Sequence, residues 1–491
     1  KRSRVIALQK GLSRAAISAH IEASQAGIAS MSFFTEMMQQ ITERGRALMH
    51  ARRGDARTAQ ALQALAEALL SNRGEASGVA RAAELLDCYA AAPREEREGF
   101  LRCLALDFGP DQSRIDAAIA AYQAEPGATT AMALHRAAEP RRQDLLRRLN
   151  RAPGGTLALL RMREDVLPLR RAEPALADLD ADFEHLFASW FNRGFLTLRR
   201  IDWASPAHVL EKIIQYEAVH RIENFEDLKL RLAPSDRLLY AFFHPALADE
   251  PLIFVEVALT DAIPQSIERI LDGKRAELAP EDADTAVFYS ISNCQKGLAG
   301  VSFGNFLIKQ VVEELRRDLP QLRRFVTLSP VPGFAAWLET QARDTESGAL
   351  EQAEREMLAP LLAEGADRAA LLARDDAETD KLNETLRRLC ATYLVHARMV
   401  RGARGVPRPV DPVARFHLGN GARLEHVHAR ADLSPRGTAQ AAGMMVNYLY
   451  DLDSIERHHE AYAERGEVAV SNEVRRLAKP QKALRDLAVS G

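Results

Sequence analysis

A helical N-terminal region followed by an α/β or α+β domain is the fold class the sequence predicts, and three observations predict it. Up to about residue 190 the chain is rich in Ala, Leu and Arg, with apolar residues at three- and four-residue spacings and few β-branched residues. Pro and Gly interrupt these runs irregularly, from Gly54 to Pro153, which predicts separate helices and no repeat of fixed period. After Phe191-Asn-Arg-Gly194 the pattern changes to short runs rich in Val, Ile, Phe and Tyr, interleaved with amphipathic segments.

The elements follow in order. Helices are predicted over 58–70, 79–91 and 115–122. The polar residues of this half show no convergent constellation, so its expected role is oligomerisation or support. Ser205-Pro206 reads as an N-cap and first-turn proline, opening an amphipathic helix to about His220. Strands are predicted over 238–243, 252–259, 286–292 and 325–328, the first two joined as a hairpin through Ala248-Asp-Glu-Pro251. Helices are expected over 305–319, 334–343, 350–362 and 381–399, and a Pro- and Arg-rich loop over 402–412. Two domains follow, 1–190 and 191–491, with the chemistry expected in the second.

Composition removes several function classes. The 491 residues carry 65 basic and 68 acidic side chains, and a net charge of −3 gives no electrostatic argument for nucleic acid or a membrane surface. Arg outnumbers Lys 55 to 10, a skew that the acidic residues cancel. Cys88, Cys103, Cys294 and Cys390 are too scattered for a zinc ribbon or a disulfide framework. No run approaches the 18 or so apolar residues of a spanning helix, so a protein of a reducing compartment is the expectation.

Three segments can carry chemistry. Val287 to Asn305 reads as a strand, a loop with Gly297, Gly300 and Gly304, and then a helix with Leu307, Ile308, Val311, Val312 and Leu315 on one side. Glycines admit a ligand to the backbone, and the first helical turn presents free N–H groups, which together suit a pyrophosphate. The spacing matches neither G-x-G-x-x-G nor G-x-x-x-x-G-K-[ST], and an ordinary Gly-rich βα turn would look the same. In Phe325-Val-Thr-Leu-Ser-Pro-Val-Pro-Gly-Phe334, two prolines would hold the Ser329 hydroxyl in one direction. A plain Ser-Pro turn is the bland alternative, and the segment is not a G-x-S-x-G elbow. His417, between Phe416 and Leu418 and before Asn420-Gly421, is either a satisfied structural histidine or an acid/base group titrating near neutrality. His426 and His428 would share a strand face, but no third zinc ligand stands out; His458 and His459 read as a solvated helix face.

Taken together, these segments resemble malonyl-CoA decarboxylase. The resemblance rests on Phe288-Tyr-Ser-Ile-Ser292, Gly297-x-x-Gly300-x-x-x-Gly304, Phe306-Leu-Ile-Lys309, Leu328-Ser-Pro-x-Pro-Gly-Phe334, His417-Leu-x-Asn-Gly-Ala422 and Asn447-Tyr-x-Tyr450, in that order, across most of 190–455. It implies a GNAT-like, acyl-CoA-binding catalytic domain behind a helical oligomerisation domain. It also implies conversion of malonyl-CoA to acetyl-CoA and carbon dioxide, with no metal and no organic cofactor. Carried over by position, the catalytic pair falls on Ser329 and His417, with Ser290 and Tyr450 in support. The CoA-phosphate loop falls on Ala299, Gly300, Val301, Ser302, Phe303, Gly304 and Asn305. Animal members resemble this loop but carry Glu where Ser302 stands. The absence of a Ser-Lys-Leu ending and of an evident transit peptide implies a bacterial-type cytoplasmic member, a homo-oligomer such as a dimer or tetramer. A CoA-dependent acyltransferase of the same fold and a helical scaffold with a degenerate CoA domain are the alternatives.

Overall fold

The structure, a computed structural model, describes residues 58–71, 74–301, 306–344, 350–400 and 405–478. Packing divides the chain into two compact units, one formed by residues up to 197 with 243–250 and 295–302, the other by the rest.

The first unit is helical: α1 (Ala59–Ser71), α2 (Glu75–Ala91), α3 (Arg94–Asp107), α4 (Gln112–Ala124), α5 (Ala128–Ala138), α6 (Arg141–Leu149), α7 (Gly155–Val166) and α8 (Pro174–Trp190). Each break falls where the sequence supplies Gly or Pro. Leu85, Phe100, Leu104, Leu145, Leu159, Phe183 and Phe187 are buried as its core. The sequence shows no polar constellation here, whereas the fold makes one: fully buried Arg163 donates to Asp180 at 2.7 Å and to the Gly297 carbonyl at 2.9 Å. Gly297 also offers no room for a ligand, since a Cβ there would lie 2.3 Å from the Leu160 carbonyl oxygen. This glycine serves helix packing and not a phosphate cradle.

The second unit opens with β1 (Thr197–Ile201), α9 (Ala207–Tyr216), α10 (Phe225–Leu232), β2 (Arg237–Phe243), β3 (Pro251–Thr260), α11 (Glu268–Leu271) and β4 (Thr285–Asn293). It continues through α12 (Phe306–Asp318), β5 (Arg324–Thr327), β6 (Ser329–Pro330), α13 (Phe334–Arg343), α14 (Gln352–Leu362), α15 (Arg368–Leu372) and α16 (Ala377–His396). It closes with β7 (Arg398–Met399), β8 (Arg408–Pro409), α17 (Pro412–Gly419), β9 (Arg423–His428), α18 (Pro435–Ala441), β10 (Met445–Leu449), α19 (Ile455–Arg465) and α20 (Asn472–Leu477).

Eight strands form one mixed sheet in the order β1-β2-β3-β4-β5-β10-β6, with β9 pairing on β10. β3 and β4 are antiparallel, with a register shift that leaves Tyr289 unopposed between the pairs Glu256–Ser290 and Val257–Phe288. β4 and β5 run parallel, as the intervening α12 allows, and their pairing ends at Phe288–Thr327 while β4 runs on to Asn293. Val287, Val326, Leu328 and Met445 are buried in a core on this sheet.

Four sequence expectations are corrected. α9 stops at Tyr216, short of His220, because the chain turns where Glu217 receives the Val219 and His220 amides, and Ser205 bonds Asp202 without capping the helix. Helix α16 starts earlier, at the Asp376 cap, and ends at His396, after which Arg398–Met399 pairs with Arg408–Pro409. Ser329-Pro330 is not a bare turn but a two-residue strand on β10, with Ser329 opposite Val446. His459 is only partly exposed: its Nδ1 lies 2.7 Å from the Gly419 carbonyl.

Candidate active site

Strands β5, β6 and β10 and helix α17 bring polar side chains to the same point. Pro330 lacks an N–H, which suits β6 to the end of the sheet. Thr327 and Ser329 are two residues apart in extended chain, so their side chains share a face, and Ser329 Oγ donates to Thr327 Oγ1 at 2.9 Å. Helix α17 opens at Asp411-Pro412, where Asp411 Oδ1 accepts the Ala414 amide at 2.8 Å, and it carries His417 in its last turn. β10 supplies Tyr448, and Tyr450 follows directly after its end.

His417 Nε2 lies 3.1 Å from Ser329 Oγ, and its Nδ1 lies 2.8 Å from the Tyr450 hydroxyl. Because the Ser329 proton points to Thr327, the Ser329 oxygen accepts from Nε2–H, and Tyr450 donates to Nδ1. The imidazole stacks on Tyr448, with centroids 4.6 Å apart and planes 23° apart. Thr327 Oγ1 also accepts the Tyr448 amide at 3.1 Å, and its carbonyl accepts the Asn447 side chain at 2.8 Å, so one residue ties β5 to β10 behind the pair. All of these side chains are buried.

Burial dominates the electrostatics. It pushes His417 down to about 3 and Tyr450 well above the tyrosine range, so both are neutral at pH 7. The sequence expectation of an imidazole titrating near neutrality therefore fails in this structure. Stability follows from this shift. Between pH 6.5 and about 3 the unfolded state binds a proton at His417 that the folded state refuses, so acid weakens the fold. Relative to a His417→Asn variant, the wild type should lose about 2 kcal/mol between pH 7 and pH 5. Urea unfolding of both proteins at the two pH values measures it, and an unchanged difference would refute the neutral buried imidazole.

Ser290 is placed elsewhere in the same unit. Its hydroxyl donates to Glu217, 2.8 Å from each carboxylate oxygen, and Ser292 donates to the same group at 3.0 Å. The structure thus joins Ser329, His417 and Tyr450 directly, while Ser290 belongs to a Glu217 cluster. Of the loop positions, Ala299, Gly300 and Val301 are described, and Gly300 has φ +83°; Ser302, Phe303, Gly304 and Asn305 lie outside the described residues. His426 is bonded to Glu473 at 2.7 Å and His428 to Asn447 at 2.5 Å. Among the described residues no group of three or more His, Cys, Asp or Glu is arranged to hold a metal ion, and no helix is long and apolar enough to cross a membrane.

Sequence reasoning missed Thr327, Tyr448, Asp411 and Glu217. Two-residue alternation before Ser329 is a signal for Thr327, and an Asp-Pro helix start is one for Asp411. Nothing local marks Glu217, whose role depends on β4.

Comparison with known proteins gives concordant findings. Residues 194–488 match the family model for the malonyl-CoA decarboxylase C-terminal domain, and 108–191 match that for the malonyl-CoA decarboxylase N-terminal domain. The mitochondrial malonyl-CoA decarboxylase of Anser anser anser is 36% identical over 422 residues, covering 80% of this chain and 82% of that protein. The Rattus norvegicus counterpart is 34% identical over 362 residues, covering 68% and 70%. The crystal structure of malonyl-CoA decarboxylase from Rhodopseudomonas palustris superposes with a TM-score of 0.80 at 54% identity, over 85% of this chain and 99% of that one. The Agrobacterium vitis structure gives a TM-score of 0.78 at 54% identity, over 85% and 100%.

Proposed function

The chain belongs to the malonyl-CoA decarboxylase family and is a carboxy-lyase acting on malonyl-CoA, and from that premise we propose that Ser329 and His417 perform the reaction without metal or organic cofactor. The observation that carries the proposal is the buried Ser329–His417–Tyr450 chain of hydrogen bonds.

Loss of carbon dioxide leaves an electron pair on the carbon next to the thioester, which the thioester carbonyl takes up as an enolate. The protein has to orient the carboxylate out of the carbonyl plane, stabilise the enolate oxygen and protonate carbon. The resting pair is neutral. A bound malonyl carboxylate introduces a negative charge into a buried site, and that charge favours uptake of one solvent proton by the imidazole. His417 then delivers this proton to the enolate carbon and returns to its neutral form. The balance is one malonyl thioester and one proton in, one acetyl thioester and one carbon dioxide out. With substrate bound, Ser329 turns its hydroxyl proton from Thr327 to the reacting oxygen while its own oxygen still accepts from Nε2–H, which holds the imidazole in place, and Tyr450 fixes the other nitrogen.

In the same reading Ser290 supports the site through β4, and Ala299, Gly300, Val301, Ser302, Phe303, Gly304 and Asn305 cradle the CoA phosphates on a GNAT-like domain. The helical region supports a dimer or tetramer, and the enzyme is cytoplasmic. The test is incubation of purified protein with malonyl-CoA, following carbon dioxide and acetyl-CoA with no metal added. Turnover should survive EDTA; loss on chelation that zinc restores would overturn cofactor independence and return attention to His426 and His428. Acetyl-CoA with amines should give no product, and acylated amine would favour an acyltransferase.

A further inference from the structure

Asp411 sits behind the reacting pair, 1% exposed, at the start of the helix that carries His417. Its Oδ1 accepts the Ala414 amide. The Gly333 amide, in the turn that follows β6, faces the same carboxyl group. Space there is tight: a Cβ on Gly333 would lie 2.4 Å from the Tyr393 hydroxyl and 4.0 Å from Asp411 Oδ2. Oδ2 and the Tyr448 hydroxyl are both buried without a hydrogen-bond partner among the described residues. An exposed cap would do as much for the helix without that desolvation cost.

We propose that Asp411 is a positioning residue for decarboxylation, its carboxylate holding helix α17 and the Ser329-to-Gly333 segment in one fixed relation and so setting the hydrogen bond between His417 and Ser329. The inference rests on the reading of those two residues as the reacting pair. A carboxylate that bonds the Ala414 amide and lies beside the Gly333 amide suits the task, because Ser329 and His417 are 88 residues apart in sequence. Small displacements of reacting groups cost rate steeply.

The carboxyl group's surroundings give the proposal a readout that a plain helix cap lacks. The groups facing Asp411 are Tyr393 and Cys390 from α16, Tyr448 from β10 and Arg415 from α17. The Arg415 guanidinium is engaged by the Pro409 and Val410 carbonyls. Burial therefore prevails and pushes the Asp411 carboxyl up to about 6. Below that pH the carboxylate is lost and with it the stronger acceptor, while protonation of His417 in the substrate complex is common to the wild type and an Asp411 variant and cancels in the ratio of their rates.

The test compares Asp411→Asn with wild type by steady-state kinetics on malonyl-CoA from pH 5 to 8, with melting measured on the same samples. Asn retains an oxygen for the Ala414 amide but carries no charge. The expected result is a kcat lowered about 10- to 100-fold at pH 8 with KM changed less than threefold. The ratio of wild-type to variant kcat should shrink toward pH 5, where the wild type loses its carboxylate too. Asp411→Ser, an equally good cap, should reproduce both results and serves if the Asn variant does not fold. Asp376→Asn, at the cap of α16 where Asp376 receives the Thr379 amide at 2.8 Å, should leave kcat and its pH profile unchanged. Wild-type kcat in the Asp411 variants, a ratio constant with pH, or an effect confined to KM would overturn the proposal. If Ser329→Ala and His417→Asn also keep full activity, the reading of the pair has failed; if those two lose activity and the Asp411 variants do not, only the positioning role has failed.

Discussion

His417→Asn should reduce turnover of malonyl-CoA by about 10²- to 10⁴-fold while CoA still binds, the range general acid–base groups contribute. Asn can still hydrogen-bond but cannot supply a proton near neutral pH. The variant also forfeits the stacking of the imidazole on Tyr448, so a melting temperature a few degrees lower is part of the same expectation. Measuring turnover and melting on one sample separates the two effects. A folded variant that decarboxylates at nearly the wild-type rate would remove His417 from the chemistry. Ser329→Ala gives the second side of the cycle. The 3.1 Å contact implies that the two act as a unit, so the double variant should be little worse than the poorer single one. Effects that multiply would mean that each residue contacts the substrate independently.

A large stability effect is expected at Gly421, in the turn that closes α17. Its φ of +81° is a conformation L residues avoid, and a Cβ would stand 2.2 Å from the Ile455 carbonyl oxygen. Both penalties fall on the turn that fixes His417, whose own carbonyl receives the Asn420 and Ala422 amides. Gly421→Ala should therefore cost roughly 3 kcal/mol, backbone strain and overpacking combined. Gly365→Ala is the matched control, because Gly365 has φ +73° with nothing within 4 Å of the added carbon. That variant should lose about 1 kcal/mol. Denaturant midpoints of the two proteins compare the costs directly, and equal losses would show that the Ile455 contact yields without penalty.

Much of this was legible because the signals were local. Pro and Gly mark the ends of the N-terminal helices, the apolar face from Leu307 to Leu315 marks α12, and the β-rich run from Ala286 marks β4. The reacting pair was legible only through motif resemblance, since a Ser-Pro dipeptide and a His near an Asn-Gly turn occur widely for structural reasons. What could not be read depends on contacts distant in sequence. The depressed pKa of His417 comes from burial beneath Tyr448 and Tyr450, and no window around residue 417 contains those rings. The early end of α9 has the same origin, for Glu217 answers to Ser290 and Ser292 on β4. The role of Gly297 was misread because its constraint is the Leu160 backbone, well over a hundred residues earlier.

The position of β10 carries a consequence for how the enzyme is made. β5 and β6 are separated in sequence by a single residue, yet β10 lies between them in the sheet and pairs with both. No nascent chain that ends before Met445 can therefore complete this part of the sheet. A ribosome adding 5–20 residues per second needs on the order of 10 s to travel from β6 to β10. Throughout that interval the Ser329 segment is an open strand edge, the kind that recruits other strands. Its neighbour on the chain limits the hazard, since Pro330 and Pro332 deprive that edge of amide donors while it waits. The same stretch that fixes the serine thus also protects the growing polypeptide from pairing with the wrong strand.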